Sequence, residues 1–204
     1  MQINIDKKTG ILSGVIAVLI GVIIFLMGTQ NSSSGLFGIN HSAMDGENNS
    51  TNSSLLGSDA MFFEMMIPHH QQAIDISDLA LTKSADSELL ALAKSIRDEQ
   101  SAEIVKMKAW LDAAGADLEM GHSMNHSMGG MLSDSELAAL KAATGKSFDL
   151  LWLKGMTGHH DGAIDMAAMI ENSKNPEIKS FAQAIVSSQS EQNKAMAAML
   201  KRMG

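Results

Sequence analysis

The segment His69-His70-x-x-Ala73-Ile74-Asp75 returns as His159-His160-x-x-Ala163-Ile164-Asp165. A repeat this close means that the chain carries two copies of one structural unit. The echo extends outward. Met66 matches Met156, and Phe62 matches Trp152. After a one-residue adjustment, Glu88, Ala93, Ile96, Gln100, Met107 and Leu111 match Glu177, Ala182, Ile185, Gln189, Met196 and Leu200. The apolar positions recur at helical spacing, so the unit is a helical hairpin. One hairpin cannot bury its apolar face alone. Two facing hairpins can, and the result is an all-α, four-helix bundle.

Composition agrees with helices. Outside the first 30 positions the chain is rich in Ala, Leu, Met, Glu and Lys and poor in β-branched and aromatic residues. There are 17 Met, no Cys and no Tyr. Disulfides and thiolate metal sites are therefore excluded. The net charge of −8 argues against a nucleic-acid partner and favours cations.

Residues 10–28 form an apolar run without charge, long enough to cross a bilayer as a helix. Lys7 and Lys8 precede it, and the next basic residue is Lys83. The positive-inside rule then leaves residues 1–9 in the cytoplasm and exports the remainder to the periplasmic or extracellular side. A cleaved signal peptide is the competing reading and exports the same residues. Residues 29–57, rich in Ser, Asn and Gly, read as a flexible tether. The bundle occupies 58–204. Repeat one spans 58–114, a His/Met-rich loop 115–132, and repeat two 133–203. Within it, Ser58-Asp59 opens a helix patterned from Met61 to about Leu81. A second helix runs from Asp86 to Ala114, ended by Gly115. Ser133-x-x-Glu136 is a capping box opening a short helix that ends near Gly145. A third long helix covers about Lys146–Glu171. Asn175-Pro176 starts a fourth, which reaches about Arg202.

Neighbouring residues on a helix point about 100° apart, so one His of each pair is expected in the core and the other in a groove. Met66 and His70 share a face, as do Met156 and His160. Thioether plus imidazole suits Cu(I), and Ag(I) by softness, better than the oxygen-seeking Mg²⁺ or Ca²⁺. Pro68 and Gly158 stand at matching positions, and each weakens a helix, so a kink or π-like irregularity is expected beside both pairs. A second soft-ligand group lies in the loop, where His122-Ser-Met124 and His126-Ser-Met128 repeat with a period of four. Met61, Met107, Met166, Met169, Met196 and Met199 read as core filling. Asp75 and Asp165 are partners for the imidazoles or surface groups, and Gln100 and Gln189 are candidates for buried hydrogen bonding.

Catalytic patterns are weak. There is no nucleophile elbow and no phosphate-binding glycine loop. The paired Glu-x-x-His motifs of a di-iron bundle are missing as well.

The stretches Phe63–Asp75, Gln100–Leu111 and Phe148–Met166 resemble the domain-of-unknown-function family 305, over about residues 58–203. The resemblance implies a ferritin-like four-helix protein of bacteria, often exported. Some members, the CopM-like proteins, are exported copper binders. It implies that His69, His70, His159 and His160 are ligands, with Met66 and Met156 as additions. Two positions depart from the family pattern. Gln72 stands where the family usually has Gly, as Gly162 does here, and Gln192 stands where Glu103 supplies a carboxylate in the first half.

The reading is therefore a membrane-anchored, extracytoplasmic protein that captures or sequesters copper, without catalysis. Cu(I) is favoured and Ag(I) accepted, at His69, His70, His159, His160, Met66 and Met156 and at His122, Met124, His126 and Met128. Its partners are metal ions and the membrane, with a homo-oligomer also compatible. A structural or partner-binding bundle with packed histidines, and a metal-dependent redox enzyme, are the alternatives. Because neutral imidazole is the ligand form, His-based binding is expected to weaken below about pH 6.

Overall fold

A computed structural model describes residue 55 and residues 57–115 and 129–204. The proposed anchor and tether lie outside the described residues, as do His122, Met124, His126 and Met128. Among the described residues no helix is long and apolar enough to cross a membrane.

The described chain is all-helical. In order, α1 is Gly57–Lys83, α2 Ser87–Ala114, α3 Asp134–Ala142, α4 Gly145–Ala167 and α5 Pro176–Met203, with a 3₁₀ turn at Ala168–Ile170 after α4. The ends follow local chemistry. The Asp86 side chain accepts from the backbone N–H groups of Glu88 and Leu89, and Gly115 closes α2 at φ 66°. Ser133 and Glu136 form the full capping box of α3. Asn175 caps α5, and Pro176 opens it, where a missing N–H costs nothing. The short helix stops at Ala142, sooner than its pattern predicts. Gly145, at φ 54°, opens α4 instead.

Helix α1 packs along α2, α4 packs along α5, and the two hairpins meet chiefly through α1 and α4. One apolar cluster joins Phe62, Phe63 and Met66 of α1 to Ile104 and Met107 of α2, Ala163 and Met166 of α4, and Phe181 and Ile185 of α5. The other joins Ala73 and Ile76 to Leu92 and Ile96, Trp152 and Met156, and Met196. The start of α1 thus lies beside the end of α4. The repeats are related by a pseudo-two-fold axis across the bundle. Trp152 braces the halves, its buried indole N–H donating to the Ile76 carbonyl at 3.0 Å.

Both α1 and α4 run as uninterrupted α-helix through Pro68 and Gly158. The backbone stays α-helical, without a π turn, at both. Tertiary packing on either side overrides the weak local propensity. Met107, Met166, Met196 and Met199 fill the core as expected, whereas Met61 and Met169 are exposed.

Candidate metal centre

Between the two apolar clusters lies a polar layer. His69 and His70 enter it from α1, Glu99, Gln100 and Glu103 from α2, His159 and His160 from α4, and Ser188, Gln189 and Gln192 from α5. All ten side chains are buried. The sequence expectation placed one histidine of each pair in a groove. Instead all four are fully buried.

The pseudo-two-fold axis passes through this layer, and there the rings of His69 and His159 meet with centroids 3.7 Å apart and planes tilted by 38°. Their neighbours reach sideways into the hairpins. His70 Nε2 and Glu103 Oε2 share a hydrogen bond at 2.8 Å. The Nε2–H of His160 donates to Gln192 Oε1 at 2.7 Å, and the Gln192 amide donates in turn to Glu99 Oε2 at 2.7 Å. Outside the helices, Nε2–H of His69 donates to the Gly129 carbonyl at 3.2 Å. An amide or peptide oxygen can only accept, so His69 and His160 carry their proton on Nε2. One pattern holds for three rings: Nε2 is tied to an oxygen, and Nδ1 has no partner among the described residues. Both nitrogens of His159 are without one.

Burial sets the charge. It pushes His69, His70 and His160 down to about 3 and His159 lower still, with the neighbouring imidazoles adding to the effect for His69, His159 and His160. It lifts Glu99 to about 7 and Glu103 to about 8, the former aided by the adjacent Glu103. The layer is thus a set of neutral imidazoles beside carboxyls that hold their protons near neutral pH.

An unpartnered buried polar atom costs about 1–3 kcal/mol. Gln100 and Gln189 are buried as expected, yet neither amide finds a partner among the described residues. With the four histidines and Glu99, they concentrate this cost in one layer. Metal-binding histidines commonly donate their second ring nitrogen to an oxygen, which fixes the tautomer and aims the lone pair. His69 and His160 have that arrangement, and His70 shares its Nε2 with a carboxyl that holds its own proton near neutral pH. Met66 and Met156 are buried, but in opposite apolar clusters, one on either side of the layer. Asp75 and Asp165 are exposed, and Asp75 accepts from Gln71, so neither carboxylate serves an imidazole. Among the described residues, no three His, Asp or Glu side chains stand close enough to hold a metal ion in their present positions. The donor chemistry fits a soft ion, and two-coordinate or thioether-completed binding fits it better than a closed cage of nitrogen and oxygen.

Sequence reasoning did not anticipate Glu99, nor the Gly129 carbonyl. The latter had a signal. The segment 129–132 passes over α4, where Gly155, Gly158 and Gly162 replace Met65, Pro68 and Gln72 of the first repeat.

The family model described as domain of unknown function DUF305 matches residues 59–200. The chain belongs to the DUF305 family. Among solved DUF305 structures, a putative secreted protein from Streptomyces coelicolor is 30% identical, with a TM-score of 0.68 over 76% of this chain and 96% of that one. A DUF305 fragment from Deinococcus radiodurans is 28% identical, with a TM-score of 0.68 over 72% and 98%. CopM in its Cu(I)-bound form is 33% identical, with a TM-score of 0.61 over 71% and 96%. Cu(II)-bound and Ag-bound forms of CopM match as well. No curated protein sequence matches the chain.

Proposed function

We propose that this DUF305 protein is a membrane-anchored, extracytoplasmic copper-binding protein that captures and sequesters copper for homeostasis or resistance. Residues 1–9 are cytoplasmic, 10–28 form the anchor, and 29–57 tether a ferritin-like four-helix bundle. The observation that carries the reading is the buried layer of neutral imidazoles. Three of its rings have Nε2 held by an oxygen and Nδ1 free. The copper- and silver-bound forms of the relative CopM support the same chemistry.

In this account His122, Met124, His126 and Met128 collect Cu(I). His69, His70, His159 and His160 then hold it, with Met66 and Met156 adding thioethers. Glu103, Gln192 and Gly129 orient the rings. Burial alters the expected pH dependence. Protons compete for imidazoles held near pKa 3 only in strong acid, so binding persists below pH 6 for as long as the bundle stays folded. X-ray absorption at the copper edge of the loaded protein tests the reading. Imidazole scattering that disappears when all four histidines are replaced by Asn supports it.

The close His69–His159 ring contact favours a second reading, a partner-binding or purely structural bundle whose histidines only pack. That reading predicts an absorption spectrum unchanged by the four replacements.

A further inference from the structure

The two repeats are not equivalent at the axis, and the inequality has a visible cause. Residues 129–132 form a strap across the His69–His159 pair. Its seat is built from both halves. On α4, the strap backbone lies directly against Gly158 and Gly162. A methyl group at Gly162 would overlap the Gly129 carbonyl, and one at Gly130 would overlap the Gly158 carbonyl. Gly130 also sits at φ 81°, where a side chain is strained. On α1, the equivalent of Gly162 is Gln72. Its amide grips the strap by both edges, accepting from the Leu132 N–H at 2.8 Å and donating to the Leu132 carbonyl at 3.0 Å. Glycine on one helix makes room for the strap, and glutamine on the other fastens it. This accounts for the difference between the repeats at Gln72 and Gly162.

We infer that Gln72 and Gly162 are positioning residues: they seat the strap so that the Gly129 carbonyl holds His69 in its Nε2–H tautomer, with Nδ1 presented as the ligand atom. His159 lies against the same ring at a tilt, and neither of its nitrogens meets hydrogen-bond geometry with a partner among the described residues. His69 is the preset member of the pair, and His159 turns to suit the incoming ion. The ligand role rests on the copper reading above. The tautomer and the seat do not.

The test compares the full-length parent with Gln72→Ala, Gln72→Glu and Gly162→Ala, and uses two readouts. The first needs no metal: two-bond ¹H–¹⁵N correlation spectra report the tautomer of each histidine. The parent shows His69 as a single Nε2–H form. Gln72→Ala and Gly162→Ala give a mixture at His69, while His160, held by Gln192 away from the strap, does not change. Gln72→Glu keeps the acceptor for the Leu132 N–H and restores most of the single form. The second readout is Cu(I) affinity by competition with a chromophoric chelator. It falls about tenfold in the two disruptive variants, the usual scale for losing an oxygen behind a metal-bound histidine, and recovers in Gln72→Glu. An unchanged His69 tautomer in both disruptive variants overturns the inference. So does a mixed tautomer with unaltered Cu(I) affinity. A parent that binds no Cu(I) refutes the copper reading, and the tautomer data then decide the seat by themselves.

Discussion

Acid should destabilise the metal-free bundle in a way that counts its buried protons. In the unfolded chain each histidine titrates near 6.5. In the fold, His69, His70 and His160 stay neutral down to about 3 and His159 lower still. Between these limits the unfolded state holds the extra proton, so each histidine's contribution is lost as pH falls, at about 1.4 kcal/mol per pH unit. Glu99 and Glu103 act with the opposite sign. Their folded values of about 7 and about 8 exceed the unfolded value of 4.5, so their contribution is lost as pH rises through that range. Near pH 5 four protons oppose two. The net slope is a loss of about 3 kcal/mol of stability per pH unit on acidification. The trends balance and stability peaks close to neutrality. Urea unfolding followed by circular dichroism at pH 7, 6 and 5, with chelator present, measures the slope. Replacing His159 with Gln should reduce it by about 1.4 kcal/mol per pH unit. Stability that is flat or rising from pH 6 to 5 would mean that the imidazoles take up protons inside the fold, and the buried neutral layer would be refuted.

Other outcomes follow from single contacts. Glu103→Gln keeps an acceptor for His70 and should stay within about 1 kcal/mol of the parent, whereas Glu103→Ala strands the ring and costs about 1–3 kcal/mol in thermal unfolding at pH 7. Trp152→Phe removes the buried bond to Ile76 and some volume, and should cost about 2 kcal/mol by urea titration. Replacing Met66 and Met156 together with Leu conserves volume, so each change should cost under about 1.5 kcal/mol. The same double variant should lose sulfur scattering in the copper-edge spectrum.

Much of the fold could be read from the chain because its signals are local and repeated. Asp86, Gly115, Ser133 with Glu136, and Asn175-Pro176 each act through backbone chemistry that needs no tertiary knowledge. The duplicated His-His motif located the centre of the bundle. The shape of that centre was less legible. Helical periodicity does not separate a carboxylate turned inward, such as Glu99, from one on a solvated face. Pro68 and Gly158 read alike as helix weakeners, yet both helices continue through them without a break. The consequence of Gly162 lies outside its own helix, in the strap that it admits. A glycine-rich connector carries no periodic signal, so residues 129–132 could not be placed over His69 by pattern. The difference between Gln72 and Gly162 was visible in the sequence, but nothing local showed that it seats a strap.

The central claim is that the buried histidines bind copper. The most direct measurement is copper per chain retained by the full-length protein after loading and desalting. The variant with His69, His70, His159 and His160 all replaced by Asn, and one lacking residues 120–131, are measured beside it. The account predicts retained copper in the parent and a clear loss in the four-histidine variant at unchanged helix content. Equal retention by parent and four-histidine variant would contradict it and leave the histidine layer as packing alone.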